Sequence, residues 1–249
     1  MSVATNNSAG RLYAILSSLI KLQGSNTAMN AVLQSLGRDS GGLLEFYRSL
    51  IELSKLVDQA ESELRATADI QHELYLAPFP RIRKALAINM PEATWQTFSV
   101  HITESDVTVL GFCAEALSRS NAENLIDDQE LSELREDVDG LAERVMASSI
   151  DQELKVILLG QLELLRRAIF DYRIRGVVRL QEALAASLGT IALNNPLFAE
   201  AKDTEEVRGF AKVLKRLGKL IGLAVKAKPL IEPVVKYFIG SGHDGDQGS

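Results

Sequence analysis

Apolar residues along this chain recur at helical spacing almost from end to end. Leu12, Ile15, Leu16, Leu19 and Ile20 return every three or four positions, as one face of a helix with 3.6 residues per turn requires. Gly24 and Ser25 loosen the stripe, and Asn26 or Thr27 is placed to cap a continuation towards Leu36. The stretch "RDSGG" at 38–42 reads as a turn. Leu43, Phe46, Tyr47, Leu50, Leu53, Leu56 and Val57 then mark a long helix that runs towards Arg65. Pro78, Pro80 and Pro91 break the following stretch into short helices or turns, because proline lacks an amide donor and restricts the residue before it. Thr103 or Ser105 is suited to cap the next helix, which carries Val107, Leu110 and Leu117 and ends near Asn121.

The middle of the chain is more regular. Leu131, Leu134, Val138, Leu141 and Val145 alternate spacings of three and four, the pattern of a coiled-coil seam. Around them stand Asp127, Asp128, Glu130, Glu133, Glu136, Asp137, Asp139 and Glu143. "SSIDQE" interrupts this helix and supplies caps for the next, where Leu154, Leu158, Leu162, Leu165 and Ile169 recur. A third run carries Val177, Leu180, Leu184, Leu188 and Ile191, with Gly176 near its start and "NNP" at 194–196 at its end. Short connections between such helices favour antiparallel neighbours. The expected fold is all-α: a multi-helix bundle with antiparallel central helices and a basic amphipathic C-terminal helix. The expected division is an N-terminal helical lobe over 1–121, an acidic central bundle over 122–202, a basic segment over 203–240 and a disordered tail over 241–249. The first three are compatible with one domain.

Composition narrows the function classes. A chain of 249 residues, 46% hydrophobic and 24% charged, has ample length for a buried core. A formal charge of −6 argues against nucleic acid as a partner of the whole surface. A single cysteine, Cys113, excludes an internal disulfide; its apolar helical setting, "VLGFCAEAL", reads as a buried structural thiol. The N-terminal "MSVATNNSAG" is polar, and the apolar run at 12–20 has no cleavage pattern after it, so no signal peptide is expected. No segment reads as a transmembrane helix, because the longest charge-free apolar run, 183–199, contains Asn194, Asn195 and Pro196. The expected location is the cytoplasm, peripheral to the inner face of the membrane.

Catalytic and cofactor signatures are missing. "GKL" at 218–220 lacks the upstream glycine of a phosphate-binding loop, and no G-x-G-x-x-G occurs. His72, His101 and His243 lie far apart, and the exposed face of a helix accounts better for Asp69, His72 and Glu73 than a metal does. Neither serine pair, 17–18 or 148–149, sits in a nucleophile elbow. The expectation is a non-enzymatic protein with no cofactor and no metal.

The C-terminal stretch departs from the rest. From 207 to 240 there are eight basic residues and one acid, a formal +7 that leaves −13 for the remainder. Asp203 or Thr204 offers an N-cap, and Glu205 and Glu206 suit the positive end of a helix dipole. At ~100° per residue, Arg208, Lys212, Lys215, Arg216, Lys219 and Lys226 share one side, whereas Phe210, Leu214, Leu217, Ile221, Ala224 and Val225 share another. Gly218 and Gly222 have the spacing for a close helix crossing. Pro229 and Pro233 interrupt the pattern, and Tyr237 and Phe238 follow in a short apolar run suited to a membrane interface or a hydrophobic groove.

In composition this stretch resembles cationic membrane-active peptides, with lysines every three or four residues and interspersed glycines. Three roles fit it. The helix closes the bundle with its apolar face; it docks on an anionic membrane; or it binds a partner, in a groove of another protein or against nucleic-acid phosphate. The candidate membrane- or partner-binding residues are Lys212, Leu214, Lys215, Arg216, Leu217, Lys219, Ile221, Lys226, Tyr237 and Phe238. Membrane association comes first among the functional surfaces, with the acidic bundle as a restraint. That restraint predicts contacts from Glu133, Glu136, Asp137 or Glu143 to Lys212, Lys215 or Lys219.

Overall fold

The computed structural model describes residues 3, 5–22, 26–38, 41–119 and 125–225. In chain order the helices are α1 (Ser8–Lys21), α2 (Ala28–Ser35), α3 (Leu43–Ala66), α4 (His72–Leu76), α5 (Phe79–Leu86) and α6 (Gln96–Ser99). They continue with α7 (Glu104–Ser118), α8 (Asp128–Ala147), α9 (Gln152–Arg175), α10 (Val177–Leu193), α11 (Asn195–Glu200) and α12 (Glu205–Val225). Among the described residues there is no strand, and the protein is an all-helical bundle. The chain divides into two compact units: Met1–Glu123 with Arg173–Gly176, and Asn124–Tyr172 with Val177–Ser249.

In the first unit α1 packs against α7 and α3, and its apolar stripe is sealed: Leu12, Ile15, Leu16 and Leu19 are all buried. Helix starts are fixed by side chains that accept from otherwise unpaired amides. Thr27 accepts from Asn30 N at α2. At α7, Thr103 and Asp106 form a reciprocal capping box. Burial pushes the Asp106 carboxyl up, but hydrogen bonds from Arg81 and Thr103 outweigh it and hold Asp106 below its usual value. On α3 the pattern divides. Phe46, Leu50, Leu53, Leu56 and Val57 are buried, whereas Leu43, Leu44, Tyr47 and Ile51 stay exposed, because positions 43, 47 and 51 run along a different side from 46, 50, 53 and 57.

The proline-rich stretch returns to α2. Ala28 N donates to Ala93 O at 2.7 Å and Trp95 N to Asn26 O at 2.8 Å, an isolated antiparallel bridge at Thr27 and Thr94. Trp95 is 2% exposed, and its indole Nε1 donates to Leu19 O at 2.9 Å. Residues 173–176 complete this unit. Ile174 is buried in its core, its carbonyl accepts from Arg11 Nε at 3.1 Å, and Arg175 Nη1 meets Glu52 at 3.1 Å. Gly37, at φ +75°, faces Arg173 so closely that a Cβ would stand 2.5 Å from Nη1.

The second unit is built on leucine seams. Leu131, Leu134, Val138, Leu141 and Val145 of α8 join Leu154, Leu158, Leu162, Leu165 and Ile169 of α9 in one core. Val177, Leu180, Leu184 and Ile191 of α10 belong to it too, with Leu188 only partly buried at its margin. Asp151 starts α9 by accepting from Glu153 N at 2.9 Å and Leu154 N at 3.1 Å. Leu134 and Leu162 are each 1% exposed, so Leu134→Ala and Leu162→Ala are each expected to destabilise the protein by about 2–5 kcal/mol. Urea unfolding of the two variants checks this, and an unchanged midpoint for either would remove that residue from the core.

Candidate functional site

Helix α12 is held in the second unit by its apolar side. Thr204 Oγ1 accepts from Val207 N at 3.4 Å at its start. Val207, Phe210, Val213, Leu214, Leu217, Leu220 and Ile221 are buried against α8, α10 and α11. The Phe210 ring stacks on Phe198 of α11 with centroids 6.4 Å apart. Of the candidate residues, Leu214, Leu217 and Ile221 therefore lie in the core, whereas Lys212, Lys215 and Lys219 are exposed and Arg216 is half-buried. Lys226, Tyr237 and Phe238 lie outside the described residues.

The link between the basic and acidic helices is made by Arg216. Its Nη1 donates to Asp137 at 2.6 Å, and its Nη2 donates to Glu133. Glu133 and Asp137 are one turn apart on α8, a spacing that suits a planar guanidinium with donors on two nitrogens. Hydrogen bonds from Gln129 and then from Arg216 hold the Glu133 carboxyl below its ordinary value. The hydrogen bond to Asp137 is the chief cause that raises Arg216. The expected contacts to Lys212, Lys215 and Lys219 are absent among the described residues. Arg216 stands at the edge of the basic arc nearest Gly209 and the α8 crossing, whereas Lys215 stands at the opposite edge.

A close crossing of α8 and α12 lies at Gly209. A Cβ on Gly209 would stand 2.7 Å from Leu141 Cδ1, so α8 and α12 approach each other through a missing side chain. Beside this crossing is a groove of about 540 Å³, lined by Asp137, Arg144, Glu205, Arg208, Lys212 and Arg216, with Gly209 and Val213 completing it. Arg144 has no signal in the periodicity except its place three residues after Leu141.

Elsewhere the chemistry is structural. Burial pushes the Cys113 thiol up to about 12, which leaves it protonated at neutral pH. The His72 ring nitrogen Nε2 lies 3.2 Å from Leu64 O. Among the described residues no three His, Cys, Asp or Glu side chains gather to hold a metal ion. Among the same residues, no helix is long and apolar enough to cross a membrane. The fold and this surface define an all-helical protein with a cationic edge on an otherwise acidic unit. No protein-family model matches the chain, and no curated protein or solved structure is significantly similar to it.

Proposed function

We propose that the chain is a non-enzymatic association protein whose basic amphipathic C-terminal helix meets an anionic membrane surface at the cytoplasmic face. In this reading Lys212, Lys215 and Lys219 make the contact while the acidic α8 restrains the helix through Arg216. The central helices over 128–191 run antiparallel. The observation that carries the reading is the division of α12: its aliphatic residues lie in the core and its lysines are exposed along one side. A surface of that kind docks electrostatically without leaving its unit. Insertion of the apolar side requires release, and the two states must then lie within a few kcal/mol of each other for a ligand to switch them. Burial of Leu214, Leu217 and Ile221 favours a second reading, in which α12 closes the bundle as part of a structural or adaptor protein and its exposed side meets a partner protein.

Liposome co-sedimentation separates the two. Each lysine near an anionic leaflet contributes on the order of 1 kcal/mol, so changing Lys212, Lys215 and Lys219 together to glutamine is expected to weaken binding about a hundredfold. Wild-type binding should also fall as salt is added. Folded wild-type protein that ignores anionic vesicles at low salt would overturn the membrane reading and leave the second.

A further inference from the structure

The crossing of Gly209 over Leu141 has an electrostatic consequence. Three residues on from Leu141 stands Arg144, and three residues on from Gly209 stands Lys212; both face the groove, with Arg208 and Arg216. Four cations thus share about 540 Å³ with two carboxylates, Asp137 and Glu205. Asp137 is already engaged by Arg216 at 2.6 Å, and Arg208 is paired outside the groove with Asp203 at 2.8 Å. Arg144 and Lys212 have no ion pair among the described residues. Clustering like charges in this way opposes folding unless an anion lies between them.

The other arginine of α8, Arg135, lies over the Phe170 ring at 4.3 Å and so has a structural partner, whereas Arg144 stands in the last turn of the helix. Arg144 has no such partner among the described residues. It stands on an acidic helix and faces the cations of another. Arg144 and Lys212, the two lining cations without an ion pair among the described residues, together match the charge of a dianion. Arginine presents a planar fork of donors that matches phosphate oxygens, and lysine adds a point charge. Val213 is the one aliphatic side chain of the lining, which suits a charged head group and not an acyl chain or an aromatic ring.

We propose that the groove between α8 and α12 binds a phosphomonoester dianion, gripped by Arg144 from one helix and by Lys212 and Arg208 from the other. The proposal deepens the membrane reading, on which it rests for the source of the ligand: a lipid head group bearing a terminal phosphate supplies the dianion at the surface where the lysines dock. A soluble phosphate ester has the same chemistry, and the test has an arm for each source.

The test uses the full chain and three vesicle types: phosphatidylcholine alone, and phosphatidylcholine mixed with phosphatidylserine or with phosphatidic acid at equal surface charge. In parallel, inorganic phosphate is titrated against chloride at constant ionic strength, with amide resonances of α8 and α12 as the readout. Wild-type protein is expected to prefer phosphatidic acid over phosphatidylserine by about tenfold, the effect of one or two charge-assisted hydrogen bonds. Arg144→Gln removes that preference and leaves phosphatidylserine binding unchanged. The pair Lys215→Gln and Lys219→Gln, outside the groove, weakens both anionic vesicle types alike and keeps the preference. Phosphate that shifts residues around Gly209 and Arg144 in wild type but not in Arg144→Gln, without binding to any vesicle, assigns the groove to a soluble ester and overturns the membrane reading alone. A preference that survives Arg144→Gln overturns the groove proposal. So does the absence of both preference and phosphate shifts, even where phosphatidylserine vesicles bind and the membrane reading stands.

Discussion

Leu217→Asp is expected to unfold the second unit. Leu217 is 1% exposed, and a carboxylate there has no room to reach water and no donor to replace it. The loss combines the aliphatic burial of leucine with the burial of an unpaired charge, more than about 5 kcal/mol together. That is comparable to the whole stability of an ordinary domain. Hydrogen exchange should show protection lost along α8, α10 and α12, with helical circular dichroism reduced. The contrast with the lysine variants is the informative part. Lys212, Lys215 and Lys219 changed to glutamine should melt as wild type does, since their side chains lie in solvent. A Leu217→Asp protein with wild-type protection in α12 would show that this helix does not need its apolar contacts.

Trp95→Ala is expected to cost the first unit about 3–5 kcal/mol. The ring is buried to 2% exposure, and its Nε1 donates to Leu19 O at 2.9 Å, tying the chain after Pro91 to the end of α1. Truncation leaves a cavity and removes that hydrogen bond. Trp95→Phe keeps most of the ring and loses the donor, so its effect should be smaller, about 1–2 kcal/mol. Urea midpoints of the two variants provide the measurement. Equal midpoints would place all the effect in the hydrogen bond and none in packing.

Helix placement was legible because it depends on near neighbours in the chain. The seams of α8 and α9 are apolar at every inward position, and Thr103, Asp151 and Thr204 are short side chains able to accept from a first-turn amide. What the pattern withholds is the identity of the neighbour. Leu43 and Tyr47 are apolar and helical yet exposed, because a hydrophobic residue states a preference and not a partner. Trp95 lies in a proline-rich stretch without periodicity, so nothing local connects it to Leu19. The meeting of acid and base was foreseeable from charge segregation. Its agent was not: whether Arg216 or Lys215 faces Glu133 depends on how far α12 is rotated about its own axis. The groove at Arg144 depends on the same rotation and on the close approach of the helices at Gly209.

Residues 173–176 give the first unit an order of assembly. Its main run ends at Glu123, but Ile174, buried in the same core, is specified only after α8 and nearly all of α9 have been made. A nascent chain therefore cannot complete its N-terminal half before its C-terminal half has begun, unlike domains that mature one by one as they are synthesised. Cutting the gene after residue 123 yields a polypeptide with a hole where Ile174 belongs.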